Sequence, residues 1–150
     1  MDVVNDEVQA LIDDLIETMY AAPGVGLAAP QVGVSLRLFV VDVSANQKGE
    51  SLRVLVNPTI VSRQGMQIDE EGCLSLPGFA AYVLRPAHVV LAGLDRMGQP
   101  LRVEGRGLMA RALQHEMDHL DGTLFVDRLR PLKRRHILHR IQKKRRASQW

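Results

Sequence analysis

One segment restricts this chain more than any other: Gln114-His-Glu-Met-Asp-His119, set inside a run that is apolar nearly all the way round a helix. Leu108, Met109, Ala112, Leu113, Met117 and Leu120 cover most of the circumference of a helix over 108–120, and Gly122 closes it. A helix of that kind is central and buried. His115 and His119 are four residues apart, so they share one face about a turn apart, and Leu108 and Ala112 continue the same stripe. Any fold of this chain must therefore wrap around a helix that carries two imidazoles and a carboxylate into its interior. Metal binding accommodates such a set. Two imidazole nitrogens at this spacing reach one ion at about 2.0–2.1 Å, and Glu116 is placed to reach a water on it. Chance would give about 0.01 such motifs in a chain with this many His and Glu residues.

The remaining sequence supplies mostly strands. Residues 6–21 form an amphipathic helix, with Val8, Leu11, Ile12, Leu15, Ile16 and Met19 on one face, Asn5 as N-cap, and Pro23 and Gly24 ending it. The small-residue stretch 24–33 is neither helix nor strand by pattern. Residues 36–43 read as a strand buried on both faces. Short strands follow over 52–56 and 59–62, separated by Asn57-Pro58, and breakers bracket 70–78. Residues 83–94 and 101–104 are strand-like, joined by a turn at 95–98, and a weaker helix is expected over 132–146. The expected class is α+β. Small antiparallel or mixed sheets pack around the central helix, with an N-terminal and a C-terminal helix, in a single domain spanning 1–150.

A catalytic metal needs a third protein ligand. Neither the downstream Glu on a second helix nor the prompt third His of the familiar metallopeptidases follows His119, and the next histidine, His136, lies in a basic tail. Cys73 is the alternative. A lone Cys is more often a small buried hydrophobe, but beside a histidine pair short of a ligand it becomes the candidate, held as thiolate. A single Cys also excludes an internal disulfide and fits a reducing compartment. No apolar run approaches a membrane span and no secretory leader opens the sequence, so a cytoplasmic protein without a membrane partner is expected.

Three segments together resemble the motifs of the peptide deformylase family: Gly24-Val-Gly-Leu-Ala-Ala-Pro-Gln31, Glu71-Gly-Cys-Leu-Ser75 and Gln114-His-Glu-Met-Asp-His-Leu-Asp-Gly122. The resemblance spans essentially the whole chain. It implies a metal-dependent hydrolase of protein biosynthesis that removes the formyl group from N-formylmethionyl peptides. It implies Cys73, His115 and His119 as ligands of one divalent ion, natively Fe²⁺, with Zn²⁺, Ni²⁺ or Co²⁺ able to take the same site. Water activated on that ion attacks the formyl carbonyl, and Glu116 takes its proton and later gives it to the leaving amine. The Gln31 amide and the Leu74 N–H are implied as donors to the developing oxyanion. Val25, Gly26, Glu71, Leu108 and Ala112 are the expected substrate-binding residues. Members of the family carry a strand ahead of the first helix. This sequence starts almost at that helix, so a sheet edge is expected to be uncovered or filled by a partner.

Charge is unevenly spread. Residues 127–150 hold ten Lys and Arg against one acid, Asp127, for +9; residues 1–126 hold nine bases against sixteen acids, for −7. A basic tail on an acidic body points to a polyanionic partner for the tail alone. With a nascent substrate, that partner is expected to be the ribosome, against the plainer reading of a solvated helix. Two other functions fit parts of the sequence. A zinc endopeptidase would not need Cys73. A nucleic-acid-binding protein would use the tail, but residues 1–126 offer no basic or aromatic face for one, so no sequence-specific nucleic acid is expected. The glycines at 24 and 26 lack the Lys-Ser/Thr of a phosphate loop. Arg111, one turn before His115, is expected either to pair with Glu71 or to meet solvent. His88 reads as structural, and His136 and His139 as solvated.

Overall fold

The first helix forms where its cap and stripe dictate. In the computed structural model, α1 runs over Asp6–Ala21, and the Asn5 side chain accepts a hydrogen bond from the Val8 N–H at 3.0 Å. Asp6 and Glu7 sit at the positive end of the helix dipole. Val8, Ile12, Leu15 and Met19 are its buried face. The structure describes residues 4–22, 24–44, 51–73 and 76–122, giving the backbone alone for 69, 70, 72, 73 and 76–81. The expected tail helix, Leu74 and the side chain of Cys73 lie outside that description.

Among the described residues seven strands follow: β1 (Gly26–Ala28), β2 (Leu38–Val41), β3 (Arg53–Gln64), β4 (Gln67–Cys73), β5 (Leu76–Arg85), β6 (His88–Leu94) and β7 (Pro100–Arg106). α2 (Gly107–Leu120) comes after them. Five strands form one antiparallel sheet in the order β1-β2-β3-β6-β7, and β4 and β5 form a separate two-stranded ribbon. β2 is buried throughout and divides its side chains by the two-residue period of a strand. Leu38 and Val40 pack with α1, while Phe39 and Val41 pack with α2. α2 reaches the sheet through Ala110, Leu113 and Met117, against Leu55, Val89, Leu91 and Val103. This is the expected α+β class with a central second helix. Among the described residues no helix is long and apolar enough to cross a membrane.

The structure departs from the sequence-based expectation in four places. The stretch 24–33 is partly regular: Gly26–Ala28 pairs with Phe39–Val41 as an edge strand, and Ala29–Val32 makes a 3₁₀ turn that ends at Gly33, φ 83°. Three residues are too few for strand periodicity to register. Asn57-Pro58 does not split β3. The ladder with β6 shifts register between Val56 and Thr59, so the proline, which has no N–H to donate, is taken up in an irregularity where Asn57 adopts φ 51°. A Cβ on Gly93, the strand residue facing it, would stand 2.9 Å from the Val56 carbonyl oxygen, so the kink needs glycine there. The segment 70–78, bracketed by breakers in the sequence, is strand where the structure describes it: 70–73 end β4 and 76–78 begin β5 of the ribbon. Finally, 83–94 is two strands. β3 and β6 pair as far as Gln64 and His88, and the chain then leaves the sheet at Gly65 (φ 66°) and returns at Pro86, the ribbon being the excursion between them. That excursion brings β4 and β5 against α2.

Candidate active site

α2 carries its polar groups inward. Arg111, Gln114, Glu116, Asp118 and His119 are all buried, on a helix whose apolar positions face the sheet. Such groups survive burial only when bonded. Gln114 donates from Nε2 to the carbonyls of Ala110 and Pro86, both at 3.0 Å, which ties the helix to the point where the ribbon rejoins the sheet.

His115 and His119 face one another as the four-residue spacing requires. Their Nε2 atoms are 3.1 Å apart and their rings meet edge to face with centroids at 4.9 Å. One donor atom from each of His115, Glu116 and His119 falls within 4.8 Å of the others. This is a donor set for a divalent ion: two converging imidazole nitrogens with a buried carboxylate beside them. The tautomer fits as well. Nδ1 of His115 lies 3.0 Å from Glu71 Oε1, so the proton belongs on Nδ1 and the lone pair on Nε2, the atom that faces His119.

Beneath this pair lies a cluster of buried charge. Arg85, from the end of β5, donates from Nε to Glu71 Oε2 at 2.5 Å and from NH2 to Glu71 Oε1 at 2.8 Å. Its NH1 donates to Asp118 Oδ2 on α2 at 2.9 Å. Arg111 Nε stands 3.4 Å from Glu71 Oε2, and its NH2 donates to Gln67 Oε1 at 2.5 Å. Burial works to raise the Glu71 carboxyl, but the hydrogen bonds and charges of His115 and Arg85 outweigh it and hold the group below its usual range. The Arg85 guanidinium is likewise opposed by burial and lifted above its ordinary value by Glu71 and Asp118. Of the two alternatives for Arg111, pairing with Glu71 is the one observed.

β1 and the 3₁₀ turn that follows it contribute as well. A Cβ built on Gly26 would lie 3.0 Å from both Cγ and Cδ of Glu116, so the missing side chain is what lets β1 pass over the carboxylate. Gln31 Oε1 accepts from the Ala28 N–H at 2.9 Å, which fixes the amide so that Nε2 is its donating end. Val25 and Leu108 are exposed apolar side chains, 43% and 52% accessible, whereas Ala112 is buried in the core. His88 bonds Glu104 across β6 and β7, as a structural histidine would. Arg85 and Asp118 are the site residues that sequence reasoning missed. The signal that could have found them was an arginine inside the apolar run Tyr82-Val-Leu-Arg85, which demands a buried acid as partner.

Comparison with known proteins agrees with this geometry. A family model described as polypeptide deformylase matches residues 1–135. The peptide deformylase of Thermodesulfovibrio yellowstonii is 56% identical over 131 residues, covering 87% of this chain and 79% of its own. That of Xylella fastidiosa is 50% identical over 147 residues, covering 98% of this chain and 85% of its own. Among solved structures, a peptide deformylase from Legionella pneumophila superposes with a TM-score of 0.89 at 48% identity, covering 99% of this chain and 86% of that one.

Proposed function

The chain belongs to the polypeptide deformylase family, metal-dependent hydrolases that remove the N-formyl group of nascent peptides, and we propose how its own residues divide that reaction. His115 and His119 hold the ion through Nε2, with Cys73 as the third ligand. The observation that carries this assignment is the convergence of the two Nε2 atoms at 3.1 Å beside a buried carboxylate. Cys73 is supported by its backbone position at the end of β4, two residues beyond the Glu71 that bonds His115. The ion supplies Lewis acidity and an activated water near neutral pH. Glu116 takes the proton of the attacking water and returns it to the departing amine. The Gln31 Nε2 and the Leu74 N–H donate to the oxygen that develops charge, Gln31 from an amide already anchored by its oxygen. Val25, Gly26 and Leu108 line the peptide, a role supported by the exposure of the apolar Val25, next in sequence to the Gly26 that passes over Glu116, and of Leu108, at the start of the helix that bears the histidines; Ala112 backs that wall from the core. Residues 1–150 act as one catalytic domain in the cytoplasm, where formylated chains emerge.

The native ion is Fe²⁺. Thiolate with two imidazoles suits iron and zinc alike, so the ion must be measured. Protein purified anaerobically is expected to hydrolyse a formyl-Met-peptide, to contain iron by elemental analysis, and to lose activity on exposure to peroxide. An active sample that contains zinc and no iron would overturn the iron assignment; an inactive, fully metallated sample would overturn the reaction.

The basic tail anchors the enzyme to the ribosome. The +9 charge of residues 127–150 supports this, together with a substrate that is still being synthesised. Intact protein is expected to pellet with ribosomes at low salt, and a form lacking 131–150 to remain in the supernatant. Equal pelleting of the two leaves the tail as no more than a solvated segment.

A further inference from the structure

Glu71 takes no part in the proton chemistry above, yet its carboxylate is bonded on both oxygens. Oε1 receives His115 Nδ1 at 3.0 Å and Arg85 NH2 at 2.8 Å. Oε2 receives Arg85 Nε at 2.5 Å and faces Arg111 Nε at 3.4 Å. With its side chain 3% exposed, Glu71 has no access to an incoming peptide. The family resemblance places it among the substrate-binding residues, and this geometry does not.

These bonds form a closed circuit. It runs from His115 on α2 to Glu71 on β4, across to Arg85 on β5, and back through Asp118 to α2. A free imidazole has two tautomers and can turn about its Cβ–Cγ bond. One that donates Nδ1–H to a carboxylate has neither freedom, and the two-pronged grip of Arg85 denies the carboxylate its own rotation. We infer that Glu71 is a positioning residue for metal binding: clamped by Arg85 and Arg111, it holds the Nδ1–H of His115 and so commits Nε2 of that ring to the ion. This rests on His115 being a ligand, as proposed above. The same clamp ties the Cys73 end of β4 to the helix that bears the histidines.

The test uses the full chain loaded with Zn²⁺ and labelled with ¹⁵N-histidine. A long-range proton–nitrogen spectrum is expected to show His115 bound to zinc through Nε2, with its Nδ1 proton present and slow to exchange. Zinc on Nδ1 of His115 would overturn the inference and leave the ligand assignment intact; a His115 that carries no zinc would sink both. In Glu71→Gln, chelator competition is expected to show Zn²⁺ bound about 10- to 100-fold more weakly, with faster exchange at Nδ1. An unchanged affinity in the folded variant would also refute the positioning role. Should that variant fail to fold, the spectrum of the unaltered protein decides alone. Neither readout involves a formyl peptide, so a failure of the reaction assignment would be seen separately.

Discussion

Glu116→Gln is expected to lower kcat on a formyl-Met-peptide by about 10²–10⁴-fold while the protein keeps its metal. The size of the loss follows from the chemistry of one group. Glutamine matches glutamate in shape, so the contact with Gly26, where a Cβ would come within 3.0 Å, is undisturbed. The amide cannot accept the proton of the attacking water, nor return one to the leaving amine. Each decade of rate is about 1.4 kcal/mol, so the expected loss is roughly 2.7–5.4 kcal/mol of transition-state stabilisation. Metal content measured on the same sample separates two roles. The Glu116 carboxylate lies within 4.8 Å of the histidine nitrogens and is near enough to be a ligand. As a ligand its loss would empty the site; as the proton carrier its loss leaves the ion bound and the turnover gone. A variant with kcat within about threefold of the parent would remove Glu116 from the mechanism.

Arg85→Met is expected to cost about 3–5 kcal/mol of stability, near the upper end for a single substitution. Arg85 bonds both Glu71 and Asp118, and its own side chain is 4% exposed. Without it, two carboxylates remain in a low-dielectric interior with their shared cation gone, and desolvation that was offset becomes a net penalty. For a domain of this size the loss amounts to a fall in Tm of roughly 6–20 °C. Arg37 provides the contrast. It pairs with Asp121 at 3.0 Å, but the two side chains are 45% and 58% exposed, and a pair of that kind contributes at most about 1 kcal/mol. Denaturant unfolding of Arg85→Met and Arg37→Met measures the difference, and equal losses would mean that the buried cluster adds nothing beyond a surface pair.

Acid narrows the gap between Arg85→Met and the parent. The folded Glu71 carboxyl is held below the ordinary value of 4.5, so its contribution to stability is fully present above that pH. The contribution is lost as pH falls through the lowered folded value. Arg85→Met has less of it to lose. The stabilities of the two metal-free proteins are therefore expected to converge on acidification below about pH 4.5.

Features that depend on neighbouring residues are legible in the sequence itself. Asn5 caps α1 because its side chain reaches an N–H three residues on, and the stripe of Val8, Ile12, Leu15 and Met19 repeats at helical spacing. His115 and His119 meet because four residues make about one turn. Strand β2 is legible from its unbroken apolar run. Where the signal weakens, the cause is length or an exception. β1 has three residues, and the irregularity at Asn57-Pro58 lets a strand continue through a residue that normally ends one.

The H-E-x-x-H segment alone therefore determined that a buried helix would present two imidazoles and a carboxylate, because spacing along one helix is enough to place them. Only the tertiary structure decided what surrounds them. Arg85 and Glu71 are 14 residues apart, Arg85 and Asp118 are 33, and no local period links either pair. They meet because the chain leaves the sheet at Gly65, runs out and back as a ribbon, and rejoins it at Pro86. Gly26 meets Glu116 because β1 pairs along the edge of a sheet that packs on α2. Spacing along the chain fixes which side chains share a face. Which faces then meet is settled by burying the apolar sides of the sheet and both helices, and that depends on the whole fold at once.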